Sequence, residues 1–216
     1  MSEFTLVIGN KNYSSWSLRP WLWMKHHGLD FDEIPIALFT ESMENDLAAY
    51  FSNNKVPVLL HGGHQVWDSL AILEYLADHV GETSRPAHPR ARGVMRSLCA
   101  EMHSSFVSLR SELPMNCRRE PSALDVSAEC RTDIDRIQSL WRYAQRYSDN
   151  SDHWLFGAFS AADAMYAPVA LRFDRYQVAL EDEARDYVER LLAHPAMLEW
   201  VEAGRAETQV IEEEER

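Results

Sequence analysis

Val56-Pro57-Val58-Leu59-Leu60-His61-Gly62-Gly63-His64-Gln65-Val66-Trp67-Asp68-Ser69-Leu70-Ala71-Ile72 is the stretch on which the fold turns. Val58-Leu59-Leu60 and Gln65-Val66-Trp67 are short β-forming runs on either side of Gly62-Gly63. Two glycines admit the positive φ that a tight hairpin requires, so the three pieces read as strand, turn, strand. Helical spacing begins directly afterwards. Leu70, Leu73, Ala77 and Val80 share a stripe, and Gly81 ends it.

Upstream, residues 5–9 form an apolar run ending in Gly9 and read as a buried strand. A polar loop, 10–15, leads into a helix over about 15–27 with Leu18, Trp21 and Leu22 on one face. Pro20 belongs in a first turn, which favours a start near Ser17. Residues 31–38 alternate and carry Ile34 and Ile36, giving a second strand; a short helix follows over 43–51. The order is therefore βαβαββα over residues 1–81, which implies a four-stranded mixed sheet of thioredoxin-like order.

Residues 82–89, polar and holding Pro86 and Pro89, read as a linker. Beyond it, over 90–216, only helical patterns appear, at about 90–112, 123–148, 160–174, 181–193 and 195–206. The fold expected is thus an α/β thioredoxin-like domain followed by an all-helical domain.

With 216 residues and 46% hydrophobic composition, the chain can bury a sizeable core. A formal net charge of -13 repels nucleic acid and anionic lipid at long range, although a local basic pocket for a small anion is compatible with it. The run Glu212 to Glu215 reads as a solvated tail. No basic segment leads into an apolar one at Met1-Ser2-Glu3, and no apolar run reaches the roughly 20 residues that span a bilayer, so no membrane role and a cytoplasmic location are expected. Cys99, Cys117 and Cys130 form no CxxC and suit a reducing compartment. His26, His27, His61 and His64 lack the spacing of a metal site, so no metal is expected.

Four local features bear on chemistry. Ser14-Ser15-Trp16-Ser17-Leu18-Arg19 opens a helix, where free N–H groups and the dipole favour an anion. A serine hydroxyl there can donate to a thiolate and lower the thiol's pKa, or merely cap the helix. Val56-Pro57 precedes the hairpin. A cis bond would leave the Val56 N–H and C=O free to pair with an extended peptide; a trans proline at a strand's first residue is the ordinary alternative. Asp68 and Ser69 open the next helix and suit an amino-acid zwitterion, with Asp68 for the ammonium and Ser69 for the carboxylate; each is also a common cap. Ser160-Ala161-Ala162-Asp163 has the spacing of a capping box, a structural device.

In this order and spacing the four motifs resemble the cytosolic glutathione transferase superfamily, and the first is similar to that of zeta-like and related bacterial serine-type members. The resemblance covers essentially the whole chain. It implies glutathione as co-substrate, a homodimer and a small electrophile as second substrate. It places Ser14 at the glutathione sulfur, with Ser15 as the alternative, Val56 and Pro57 at the cysteinyl backbone, and Asp68 and Ser69 at the γ-glutamyl end. Lys55, beside Val56, would pair with the glycyl carboxylate. His103, Phe106 and Arg110 would line the electrophile pocket between the domains, with a surface position or inter-helix hydrogen bonds as the ordinary alternative for His103 and Arg110. Trp16 stands where zeta-type maleylacetoacetate isomerases carry a cysteine, which speaks against that activity. The absence of a cysteine before Cys99 speaks against cysteine-type members. Tyr13 lies one residue early for a tyrosine-type site. A non-catalytic binding module and a glutathione-dependent isomerase or peroxidase remain as alternatives on the same scaffold.

Overall fold

The computed structural model describes residues 2–148 and 152–216. Strands β1 (Phe4–Gly9), β2 (Phe31–Ile36), β3 (Val58–His61) and β4 (His64–Trp67) form a sheet in the order β2-β1-β3-β4. β1 runs parallel to β2 with Val7 opposite Ile34, and antiparallel to β3 with Leu6 opposite Leu59. Helices α1 (Ser15–His26), α2 (Met43–Leu47) and α3 (Ser69–Val80) complete the βαβαββα order expected from sequence. Gly62 and Gly63 both take positive φ, 52° and 86°, as the two-residue turn requires.

Beyond α3 the regular elements among the described residues are helical, with isolated bridges at residues 154–158: α4 (Pro89–Ser104), α5 (Val107–Glu112), α6 (Ala128–Gln145), α7 (Ala161–Arg175), α8 (Asp182–Leu192) and α9 (Pro195–Ala206). Among the described residues no helix is long and apolar enough to cross a membrane. One continuous core joins the sheet, α1, α3 and the helical half, with Trp21, Trp23 and Trp200 fully buried.

Several boundaries differ from expectation for physical reasons. α1 starts at Ser15, so Pro20 lies inside it. The helix tolerates the lost hydrogen bond because Leu18, Trp21, Leu22, Trp23 and Met24 are all buried around it. β2 stops at Ile36, because the Leu38 N–H donates to Asn10 Oδ1 (2.8 Å) instead of to the sheet. α2 stops at Leu47, its one buried residue. The helix expected over 90–112 is broken. Phe106 takes left-handed φ (61°) with its ring 4% exposed, and Asp133 accepts from the Leu109 N–H at 3.0 Å. Core burial of the ring and a cap from α6 together hold a backbone geometry that a bulky residue rarely adopts. α6 starts only at Ala128, where Ser127 caps Cys130 (3.1 Å) and donates to Glu112 (2.5 Å).

The α7 capping box forms, and it does more than cap. Asp163 is fully buried and accepts from the Ser160 N–H (2.8 Å) and hydroxyl (2.9 Å), the Leu155 N–H (3.1 Å) and the Tyr187 hydroxyl (3.0 Å). Burial pushes its carboxyl up to about 6 while these donors hold it down, so it is an anion at neutral pH. Because the folded value exceeds the ordinary one, this group's contribution to stability is fullest below about pH 4 and declines as pH rises to about 6. Asp163→Ala strands four buried donors. Urea denaturation at pH 7 is expected to show a loss of at least about 3 kcal/mol, and Tyr187→Phe about 1 kcal/mol.

Candidate functional site

A cavity of about 850 Å³ lies between the sheet domain and the helices, three times the size of a cleft of about 270 Å³ between α6 and α8. One wall is built by the N-termini of α1 and α3 and by the segment before β3; the other by α4, α5 and α7.

On the α1 side, Ser14 is the N-cap. Its hydroxyl accepts from the Ser17 N–H at 3.4 Å and donates to Ser17 Oγ at 2.7 Å, and Ser17 Oγ accepts from the Gly9 N–H at 3.1 Å. This chain ties the start of α1 to the end of β1. Reversing one bond, so that Ser17 donates to Ser14, frees the Ser14 proton for the cavity. Ser15 also lines the cavity, and its hydroxyl makes no hydrogen bond among the described residues.

On the α3 side, Asp68 is the N-cap with φ of 76°. One carboxylate oxygen accepts from the Leu70 N–H (2.8 Å) and the Ala71 N–H (3.4 Å), while the other lies 3.2 Å from His103 Nε2 on α4. Ser69 is 1% exposed, faces the cavity, and its hydroxyl has no partner. A buried, orphaned hydroxyl costs about 1–3 kcal/mol, and at a helix N-terminus it is a place made for an anion.

Between these walls the Val56–Pro57 bond is cis. The Val56 N–H and C=O make no hydrogen bond among the described residues, and Val56 and Pro57 both line the cavity. Lys55 lines it too, and its ammonium has no ion pair among the described residues.

The expected electrophile pocket comes together only in part. His103 and Arg110 face the cavity, and Arg110 Nη1 donates to the His103 carbonyl at 3.4 Å. Phe106 does not line the cavity: at the helix break it takes left-handed φ and its ring joins the core. At the end of α4 the Ser104 hydroxyl donates back to the Ala100 carbonyl at 2.9 Å. Sequence reasoning missed Trp16, Arg172 and Glu214 as lining residues. Arg172 sits about three turns along α7 from its cap, in a helix whose residues 161–173 are all buried.

Glu214 overturns the solvated-tail expectation. Glu212–Glu214 form a 3-10 turn that brings Glu214, half-buried, to the cavity. The tail is anchored at Tyr13. Its hydroxyl faces the Glu215 carboxylate and accepts from the Ile211 N–H at 3.2 Å, and Arg118 joins Tyr13, the Gln209 carbonyl (2.9 Å) and Glu215 (3.2 Å). Burial and the Glu215 carboxylate push the Tyr13 hydroxyl above its ordinary value. Among the described residues no cluster of metal-ligating side chains is found, and His61 is engaged by Tyr75 (2.7 Å) and Glu3 (2.9 Å).

A thioredoxin-like sheet, an all-helical partner and an anion-ready cavity between them define the class of fold. Residues 13–79 match the model of the glutathione S-transferase N-terminal domain, and residues 120–203 that of the C-terminal domain. The chain belongs to the glutathione S-transferase family. Glutathione S-transferase U16 of Arabidopsis thaliana is 33% identical over 88 residues, a match that covers 39% of this chain and 37% of that protein. A glutathione transferase homologue from Burkholderia gl BGR1, solved with bound glutathione, has a TM-score of 0.68 at 24% identity, covering 94% of this chain and 99% of that one. A theta class enzyme from Xanthomonas axonopodis pv. citri, with glutathione bound, has a TM-score of 0.68 at 22% identity, covering 93% and 98%. The two structural likenesses are likenesses of fold.

Tyr13→Phe removes the acceptor of the Ile211 N–H. Hydrogen exchange at the Ile211 amide is expected to speed up about ten-fold, the equivalent of one hydrogen bond, while core amides of α1 and α7 stay unchanged.

Proposed function

We propose that this chain binds glutathione in the cavity between its domains, divided at residues 82–89, and transfers the glutathione thiolate to a small electrophile. The observation that carries the reading is the Ser69 hydroxyl, buried and without a partner, beside an Asp68 carboxylate and an unpaired Val56 backbone. Together they offer a donor for an α-carboxylate, an acceptor for an α-ammonium and a strand edge for the peptide between. That set fits the γ-glutamyl-cysteinyl part of glutathione. Lys55, without an ion pair, suits the glycyl carboxylate.

Ser14 and Ser15 then hold the thiol end. A hydroxyl that donates to a thiolate favours the charged form, as does the positive end of α1. A free thiol near pKa 8.5 is only a few per cent ionised at pH 7, and each unit of depression is worth about 1.4 kcal/mol. Holding both reactants side by side lowers the barrier further. Ser15 has the free hydroxyl, and Ser14 has the hydroxyl that Ser17 can release. Tyr13 is committed to the tail, which supports a serine over a tyrosine at the sulfur.

The reading includes a homodimer and a cytoplasmic location. Phe51 is 76% exposed and meets Trp67, which also borders the cavity, edge-to-face at 5.0 Å, an exposed apolar pair that a second copy would cover. Cys99, Cys117 and Cys130 are buried and unpaired, as suits a reducing compartment.

Ultraviolet thiolate absorbance of bound glutathione, followed against pH, tests the chemistry. The wild type is expected to hold the thiol at least about one unit below its free value, and only one of Ser14→Ala and Ser15→Ala to restore it. An unshifted thiol in all three proteins defeats the transferase reading. Calorimetry should find glutathione bound about ten-fold more weakly by Ser69→Ala. Phe51→Asp should move the light-scattering mass from dimer to monomer.

A further inference from the structure

Three arginines converge behind and along the helical wall of the cavity. Arg19, on α1, is 0% exposed and none of its three nitrogens has a hydrogen-bond partner. Its guanidinium lies 4.1 Å from the centre of the Trp16 ring, and that of Arg110 lies 5.5 Å from the same ring. Arg172, on α7, is 4% exposed and lines the cavity. Its Nε donates to the Leu113 carbonyl at 2.8 Å, and its Nη1 has no partner.

None of the three makes a salt bridge among the described residues. Burial and then the charges of Arg172 and Arg110 push Arg19 down to about 9, and burial pushes Arg172 down to about 10. Both values remain above neutral, so the cluster is cationic at pH 7. Unpaired buried charge is expensive, and the cost is usually met by a partner in the fold or by a ligand. A chain of net charge -13 has carboxylates to spare, yet among the described residues none lies within ion-pair distance here.

The carboxylate that approaches from the tail is Glu214. It faces the same cavity, its pKa is raised by burial, and Arg172 is the main influence pulling it back. Arg110 and Arg172 stand on α5 and α7 and Arg19 on α1, whereas Ser69 opens α3 and Lys55 precedes β3.

We propose that Arg172 and Arg110 form an anion subsite for the carboxylate of an acidic electrophile, and that Glu214 is the internal carboxylate this substrate displaces. The proposal rests on the glutathione reading for the other half of the cavity. Arg172 supplies the buried contact, Arg110 the one at the mouth, and Arg19 adds positive field from behind Trp16. In the transfer, with an acidic haloarene as the example, a C–S bond forms at the halogen-bearing carbon. The C–Cl bond breaks, chloride leaves with its electron pair, and the thiol proton has already passed to solvent. Trp16 offers an aromatic face for such a ring beside the two guanidiniums.

Calorimetric titration with 3-nitrobenzoate and its neutral match 3-nitrobenzamide tests the subsite, with glutathione titrated into the same samples. Arg172 is a core residue, so Arg110→Gln and Glu214→Gln carry the test. Wild type is expected to prefer the benzoate about ten-fold. Arg110→Gln should remove most of that preference by weakening the benzoate alone. Glu214→Gln should tighten the benzoate about three-fold by removing its rival. Equal binding of benzoate and amide in wild type overturns the subsite. So does an Arg110→Gln protein that loses affinity for glutathione and not for benzoate, which would assign the arginines to a carboxylate of glutathione itself. A benzoate preference that persists where glutathione fails to bind sinks the glutathione reading and leaves the anion subsite standing.

Discussion

Burial of α1 on two sides is the constraint on which the rest depends. One side meets α3 and the sheet, the other meets α7 and α9. Leu18, Trp21, Leu22, Trp23 and Met24 are apolar nearly all round the helix, which makes α1 a core helix shared by both domains. The amphipathic alternative would leave the sheet domain and the helical bundle as separable bodies. The shared helix fixes the angle between them and holds its own N-terminus, with Ser14 and Ser15, at the mouth of the gap. The Asp163 network serves the same end from the other side: it pins the start of α7, the helix that packs on α1 and later presents Arg172.

The tail is the second device that shapes the cavity. Its anchors come from both halves of the chain. The Glu207 carboxylate accepts from the Lys11 and Asn12 N–H groups at 2.7 and 3.0 Å, and Gln209 bridges Asn10 and the Leu38 carbonyl. A segment with so many directed hydrogen bonds and one buried side chain, Ile211, is positioned by polar contacts more than by apolar burial. Such segments open at lower cost than core helices. That combination suits a wall of the cavity that must both define a shape and yield to a ligand.

What the sequence made legible follows the range of the interactions involved. The hairpin turn, the α3 and α7 caps and the α9 limits are set by residues within a few positions of one another, and all were readable. The break at Phe106 was not, because its acceptor, Asp133, lies on another helix. The interior Pro20 was misplaced for the same reason: local chemistry favours a first turn, and tertiary burial of its neighbours decides otherwise. Of the cavity-lining residues, Ser14, Ser15, Val56, Asp68 and Ser69 were nameable because each begins or shortly precedes an element, where free backbone groups gather. Arg19 and Arg172 were invisible as a pair, since 153 positions of chain separate two residues that only α1–α7 packing brings together. Glu214 was misread because a run of four acids is ordinarily a solvated face.

The charge distribution ties these strands together. An acidic surface repels small anions at long range, so an anionic ligand gains nothing from steering and must be held by contacts inside. The cavity meets that demand with lining donors in place of surface charge: the buried Ser69 hydroxyl, the helix N-termini, the buried Arg172 guanidinium and the half-buried one of Arg110. Out of bulk water these groups act at lower effective dielectric, where each hydrogen bond to an anion is stronger and less screened by salt. The same dielectric penalises leaving them empty. An internal carboxylate near Arg172 lessens that penalty in the free protein without filling the subsite, because Glu214 stops short of ion-pair distance. A fully formed Glu214–Arg172 bridge would stabilise the fold and close the subsite; its incompleteness is what keeps the cavity available.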